Sequence, residues 1–147
     1  MYSIFDIFKV SIGPSSSHTM GPMVAAKHFR DLISKRTDIN RVEARLYGSL
    51  AYTGRAHGSE KGIMLGLEGF SPSSVSSKEI KSTITNINKY KSIKVLTESR
   101  IPFDCAKDII FDTKTAPKGH SNTLELIAYK DSKKIISKTC LLYTSDA

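Results

Sequence analysis

Residues Gly13-Pro14-Ser15-Ser16-Ser17-His18-Thr19-Met20-Gly21-Pro22 place four hydroxyls and an imidazole next to one another in a loop stiffened by two prolines. Beyond it Ala25, Phe29, Leu32 and Ile33 recur at helical spacing, interrupted by Lys27, Arg30, Asp31 and Lys35, which predicts an amphipathic helix. Ser17 or Thr19 would serve as its N-cap, and Pro22 would fall in the first turn, where a missing N–H costs nothing. Unpaired N–H groups, the positive end of the helix dipole and the hydroxyls would then converge on one spot. That combination suits a carboxylate or a phosphate. An ordinary Ser/Thr-capped loop is the plainer alternative for any such run of hydroxyl residues.

Four histidines are available for proton transfer. His18 lies inside the serine loop, where a near-neutral imidazole can give or take a proton beside a bound anion. His57 is set among Gly54 and Gly58, with the backbone freedom an exposed acid–base side chain needs. His120 follows Lys118-Gly119 and precedes a predicted strand, and it suits a lining role or that of a turn hydrogen-bonder. His28 falls among Lys27 and Arg30 on the predicted helix and reads as surface.

The serine loop, with Ser3-Ile4-Phe5-Asp6-Ile7-Phe8-Lys9-Val10 before it, resembles the amino-terminal end of the iron–sulfur L-serine dehydratases, lyases that work without pyridoxal phosphate. Further matching blocks follow in the family's order. They are Tyr47-Gly48-Ser49-Leu50-Ala51-Tyr52-Thr53-Gly54-Arg55-Ala56-His57-Gly58, Met64-Leu65-Gly66-Leu67, His120-Ser121-Asn122-Thr123 and Ile136-Ser137-Lys138-Thr139. The stretch from Pro72 to Lys118 matches only loosely, and Ser59-Glu60 stands where Thr-Asp is common in the family.

The resemblance implies elimination of water from L-serine, giving pyruvate and ammonia. It makes His18 and His57 the candidate catalytic residues, without choosing between them. Ser15, Ser16, Ser17, Thr19 and His120 become candidates for binding substrate or positioning the loop. It also implies a 4Fe-4S cluster ligated by a separate α domain, with no metal ligand in this chain: two cysteines, Cys105 and Cys140, fall short of the three or four thiolates a cluster takes. The expected partners are L-serine and that α domain, the complete enzyme being a homo-oligomer. The chain alone would be inactive and, with the face meant for its partner uncovered, would self-associate. The alternative is a stand-alone regulatory module that binds serine without turnover.

Residues 1–139 are read as the β domain. Residues 140–147 depart from the family pattern and are read as a tail, truncated or non-native, although some family members run as two separate chains. With 147 residues of which 39% are hydrophobic, the chain is sized for one domain. No apolar run reaches the length of a membrane span and no signal pattern opens the chain, so the expected location is the cytoplasm. The net charge of +8 is spread over dispersed lysines, including Lys78, Lys81, Lys89, Lys91 and Lys94, without the interleaved arginines and aromatics of a nucleic-acid footprint.

The elements that must position these residues are legible in outline. Val42, Ala44 and Leu46 alternate with Glu43, Arg45 and Tyr47 as in a half-buried strand. Ser59 would cap a helix with Ile63, Met64 and Leu67, whose Gly62, Gly66 and Gly69 call for a close backbone approach. Ser76 and Glu79 have capping-box spacing ahead of Ile80, Ile84 and Ile87. Ile93 to Thr97 and Ile109 to Phe111 read as strands, and Lys130-Asp131-Ser132-Lys133 as the turn of a hairpin. Helices early and strands late predict an α+β fold with helices on one face of a mostly antiparallel sheet. By resemblance, it is like an allosteric substrate-binding domain.

Overall fold

The computed structural model describes the backbone of residues 7–12, 17–48, 50–51, 58–115 and 122–144, and side chains within 20–48, 50–51, 58–115 and 122–141. In chain order the elements are β1 (Ile7–Ile12), α1 (Ser17–Ile33), β2 (Arg41–Gly48), α2 (Ser59–Leu67), α3 (Ser77–Tyr90), β3 (Ser92–Ile93), β4 (Ile101–Pro102), α4 (Cys105–Asp108), β5 (Ile109–Asp112), β6 (Asn122–Lys130) and β7 (Lys133–Thr144).

The fold is α+β, but its main sheet is mixed rather than mostly antiparallel. Five strands lie in the order β1-β7-β6-β2-β5. The central β7-β6-β2 ladder is antiparallel, while β1 runs parallel to β7 and β5 parallel to β2. Parallel neighbours cannot be joined by a tight turn. Residues 49–108, with three of the helices, fill the crossover from β2 to β5, which is why hairpin signals alone did not disclose the flanks.

The alternation on β2 is observed. Val42, Ala44 and Leu46 are buried in one core with Leu124, Leu126 and Ala128 of β6, Ala25, Phe29 and Ile33 of α1, and Ile63, Met64 and Leu67 of α2. Leu32, expected in the α1 stripe, is instead 47% exposed. The two helices touch at Gly66: a Cβ there would collide with the Met23 carbonyl oxygen and sit 2.7 Å from the Ala26 Cβ. The glycine permits the backbone approach that its spacing anticipated.

At Ser76 the capping box forms in full, with Glu79 N–H donating to Ser76 Oγ (3.2 Å) and Ser76 N–H to Glu79 Oε1 (3.0 Å). Ser59 is not a cap. It is the fully buried first residue of α2, and Gly58 takes the cap position at φ 84°. The strand expected over Ile93–Thr97 is cut to Ser92–Ile93 because the following donors find other acceptors: Lys94 N–H goes to Glu68 Oε2 (3.1 Å) and Thr97 N–H to the Ser34 carbonyl (2.8 Å). Val95 and Leu96 stay buried without a ladder.

The β6–β7 hairpin turns at Asp131, φ 56°, and is clasped by Asn40, which exchanges hydrogen bonds of 2.9 and 2.8 Å with it. β7 then runs unbroken through Thr139 and Cys140, the latter opposite Phe8 on one side and Leu124 on the other. Residues 140–144 are thus the last part of this strand. Among the described residues, no helix is long and apolar enough to cross a membrane.

Candidate functional site

The register of the sheet brings the motif-bearing segments to one end of the molecule. β1, β7, β2 and β5 all point the same way and β6 points back, so Ile12, Thr144, Gly48, Asp112 and Asn122 share one end. Gly48 faces Asn122 directly, and Tyr47 stands between Thr123 and Asp112. From this end depart the serine segment after Ile12, the segment 49–57 after Gly48, and the chain after Asp112. To it returns the segment 116–121 that carries His120. Three blocks far apart in sequence are thereby tethered to strand ends on the same side of the sheet, those of β2 and β6 adjacent and that of β1 beyond β7.

Helix α1 opens at Ser17, so Ser17, His18 and Thr19 lie within its first turn rather than ahead of it, which corrects the expected N-cap. Pro22 accordingly sits in the second turn and supplies no N–H to the carbonyl of His18. The first-turn N–H groups, which have no acceptor inside the helix, belong to these residues. Ser15, Ser16, His57 and His120 lie outside the described residues. His28 is exposed on α1 as expected.

On the face of the sheet turned away from the core, a connected set of polar side chains runs up to this end. Tyr47 Oη donates to Glu125 Oε1 across β2 and β6 (2.9 Å). Arg45 Nε donates to Glu43 Oε2 (2.9 Å), and its Nη1 lies 3.5 Å from Asp112 Oδ2. Asp112 Oδ1 also accepts the backbone N–H groups of Lys114 (3.0 Å) and Thr115 (2.9 Å), closing a turn as the chain leaves β5. The Thr115 N–H, then that of Lys114 and the Arg45 guanidinium, hold the Asp112 carboxyl below its ordinary value. Burial, reinforced by the Glu125 carboxylate, pushes the Tyr47 phenol well above its own. Sequence reasoning assigned none of these residues to the site; the alternation marked the face of the β2 residues, but cross-strand partners cannot be read from spacing.

Glu60, the residue that stands where the family favours Asp, accepts a hydrogen bond from Cys105 Sγ at 3.0 Å. Cys140 is buried in the core, and burial pushes its thiol up. The two cysteines therefore serve separate places. Among the described residues no group of three His, Cys, Asp or Glu side chains could hold a metal ion. Among the described residues the donors do not make a ligand set for an iron–sulfur cluster.

A groove of about 460 Å³ lies at the opposite end of the sheet, lined by Asn40, Arg41, Lys91, Phe103, Asp108 and Asp131 among others. Two ion pairs cross its lining, Arg41 with Asp108 (3.1 Å) and Lys91 with Asp104 (3.8 Å), and none of the matched blocks with catalytic candidates opens there.

Comparison with known proteins bears on the family of the chain. The model of the serine dehydratase beta chain family matches residues 3–143. The chain belongs to this family. It is 40% identical over 143 residues to the L-serine dehydratase TdcG of Escherichia coli, covering 95% of this chain and 31% of that protein. An L-serine dehydratase of Helicobacter pylori is 37% identical over 138 residues, with 93% and 30% covered, and one of Streptomyces coelicolor 36% identical over 141 residues, with 93% and 31% covered. This beta chain homologue thus spans under a third of the length of these relatives. The match reaches residue 143, within β7.

Proposed function

We propose that this chain is the β part of an L-serine dehydratase, eliminating water from L-serine to give aminoacrylate, which tautomerises and hydrolyses to pyruvate and ammonia. The observation that carries the reading is the family match over residues 3–143, joined to a register that gathers the serine, His57 and His120 segments at one end of the sheet.

The residues of this chain divide the work by their chemistry. The start of α1, with Ser15, Ser16, Ser17 and Thr19, holds the substrate carboxylate against the positive end of the helix. His18 or His57 removes the weakly acidic Cα proton, a step for which a near-neutral imidazole is suited. His120 is the further candidate for lining the site. In this reading the 4Fe-4S cluster belongs to an α partner, because Cys105 and Cys140 form no ligand set, and the chain without that partner has no turnover.

The test is anaerobic combination of this chain with the separately produced remainder of the Escherichia coli relative, following pyruvate release from L-serine for the wild type, His18→Ala and His57→Ala. Activity that needs both halves and falls at least about a hundredfold in one variant supports the reading, that being the usual scale of lost acid–base catalysis. Binding of L-serine to this chain with no turnover in the combination would replace it with the regulatory module.

A further inference from the structure

The described helices α1 and α2 pack on the side of the sheet that carries Val42, Ala44, Leu46 and Leu124. On the reverse side the register sets Arg41 beside Tyr129, Glu43 beside Ile127, and Arg45 between Glu125 and Ile110. Ile127, although only 2% exposed, lies outside the core that the helices form. Arginine and tyrosine are the residue types that carry binding energy at protein interfaces, and the arginines of this face are already held in place. Buried Glu43 accepts from Arg41 Nη2 (2.9 Å) and Arg45 Nε (2.9 Å), and the Arg41 guanidinium lies 4.8 Å from the centre of the Tyr129 ring. Side chains fixed in advance lose little entropy on docking.

The order of the charges says what fits. Arg45 is level with Glu125 across β2 and β6, and Arg41 is level with Tyr129. A two-fold axis in the plane of this face, running along the strands between β2 and β6, exchanges the two strands without sliding either along its length. It sets each Arg45 against the Glu125 of a second copy and each Arg41 against the second Tyr129 ring, so that each cation on β2 meets an anion or an aromatic face. We propose that this face is the surface on which two copies of the chain associate, β2 of one lying over β6 of the other. The proposal does not rest on the dehydratase reading. With strands about 4.8 Å apart and about 3.3 Å per residue, the eight residues of β2 and the width from β5 to β7 give a face of roughly 500 Å² per copy. That is at the lower end of interfaces that hold in solution, so the pair is weak and reversible.

The experiment is sedimentation equilibrium of the full chain, from low micromolar to several hundred micromolar, for wild type, Glu125→Gln and Ile110→Arg, with thermal melts showing that each is folded. Glutamine keeps an acceptor for the Tyr47 phenol and loses only the charge; Ile110 is half-exposed and outside the core, so arginine there is tolerated in the single chain and intrudes only between copies. Wild type is expected to dimerise, more weakly as salt is raised, and each variant to weaken the dimer at least about tenfold. A monomeric wild type at several hundred micromolar overturns the proposal. So does a dimer that either variant leaves within about twofold of wild-type strength, because it uses another face. Dispersal of the wild-type dimer on adding the separately produced remainder of the Escherichia coli relative overturns it as well, by assigning the face to that part.

Discussion

The phenol of Tyr47, at the site end of β2, donates a 2.9 Å hydrogen bond to the carboxylate of Glu125 on β6, diagonal to it across the ladder. Together with Arg45 and Asp112 it stitches β5, β2 and β6 where their ends carry the chain segments of the candidate site. Both partners are half-buried, so neither keeps its full hydration.

The pair has a defined alkaline signature. Burial, then the Glu125 carboxylate, raises the Tyr47 phenol above its ordinary value of 10.0. The unfolded chain therefore releases this proton at lower pH than the folded one. Its contribution to stability is complete below about pH 10 and declines as pH climbs toward the folded value. Denaturation midpoints of wild type should fall between pH 9.5 and 11 more steeply than those of Tyr47→Phe, on scales set by ~1 pH unit steps. At pH 7 the same variant should cost about 1 kcal/mol, the worth of an ordinary hydrogen bond. Equal slopes for the two proteins would show that the fold does not raise the phenol, against both its burial and its contact with Glu125.

The contact between α1 and α2 admits no side chain at Gly66. Gly66→Ala places its methyl against the Met23 carbonyl and 2.7 Å from the Ala26 Cβ, both on the opposing helix. Since neither neighbour is the end of a flexible side chain, the helices must separate, at a cost of about 1–3 kcal/mol despite the better helix propensity of alanine. Urea denaturation measures it; a neutral or stabilising outcome would mean that the helices are free to shift.

Ser76 tests a local device legible in the sequence. Ser76→Ala removes the acceptor of the Glu79 N–H and should destabilise by about 1 kcal/mol, since the helix it starts is held to the core mainly by Ile87. Ser59→Ala is the contrast: although its spacing suggested a cap, no side-chain cap bond forms at the start of α2, and the loss there would come from a buried site rather than a helix end.

The contrast between these two serines shows what could be read ahead of the structure. Capping boxes, the β2 alternation and the β6–β7 turn depend on neighbours in sequence, and their residue types disclose them. The parallel flanks of the sheet, the exposure of Leu32 and the release of Val95 and Leu96 from a strand depend on partners dozens of residues away. Glu68 and Ser34 capture the donors of Lys94 and Thr97, and nothing in the local pattern names them. For the candidate site, motif blocks named the family and the candidate residues, while only the register showed that the strands flanking their segments end on the same side of the sheet. Arg45, Tyr47, Asp112 and Glu125 were hidden because outward-facing polar residues on a strand look alike until their cross-strand partners are known.

The two thiols should behave as different species. Cys140 is fully buried in the core, with its thiol pushed up by burial, and only the thiolate attacks a disulfide reagent. Cys105 is partly exposed at the start of α4, and its thiol donates a hydrogen bond to Glu60. At pH 8 an aromatic disulfide reagent should modify one thiol per native chain, Cys105, and the second only after denaturation. Glu60→Gln alters the acceptor of that hydrogen bond and should change the rate at which Cys105 is labelled while Cys140 stays protected. Native labelling of both thiols would contradict the burial of β7 against β1 and β6, and unchanged labelling of Cys105 in Glu60→Gln would show that the hydrogen bond to Glu60 does not govern its reactivity.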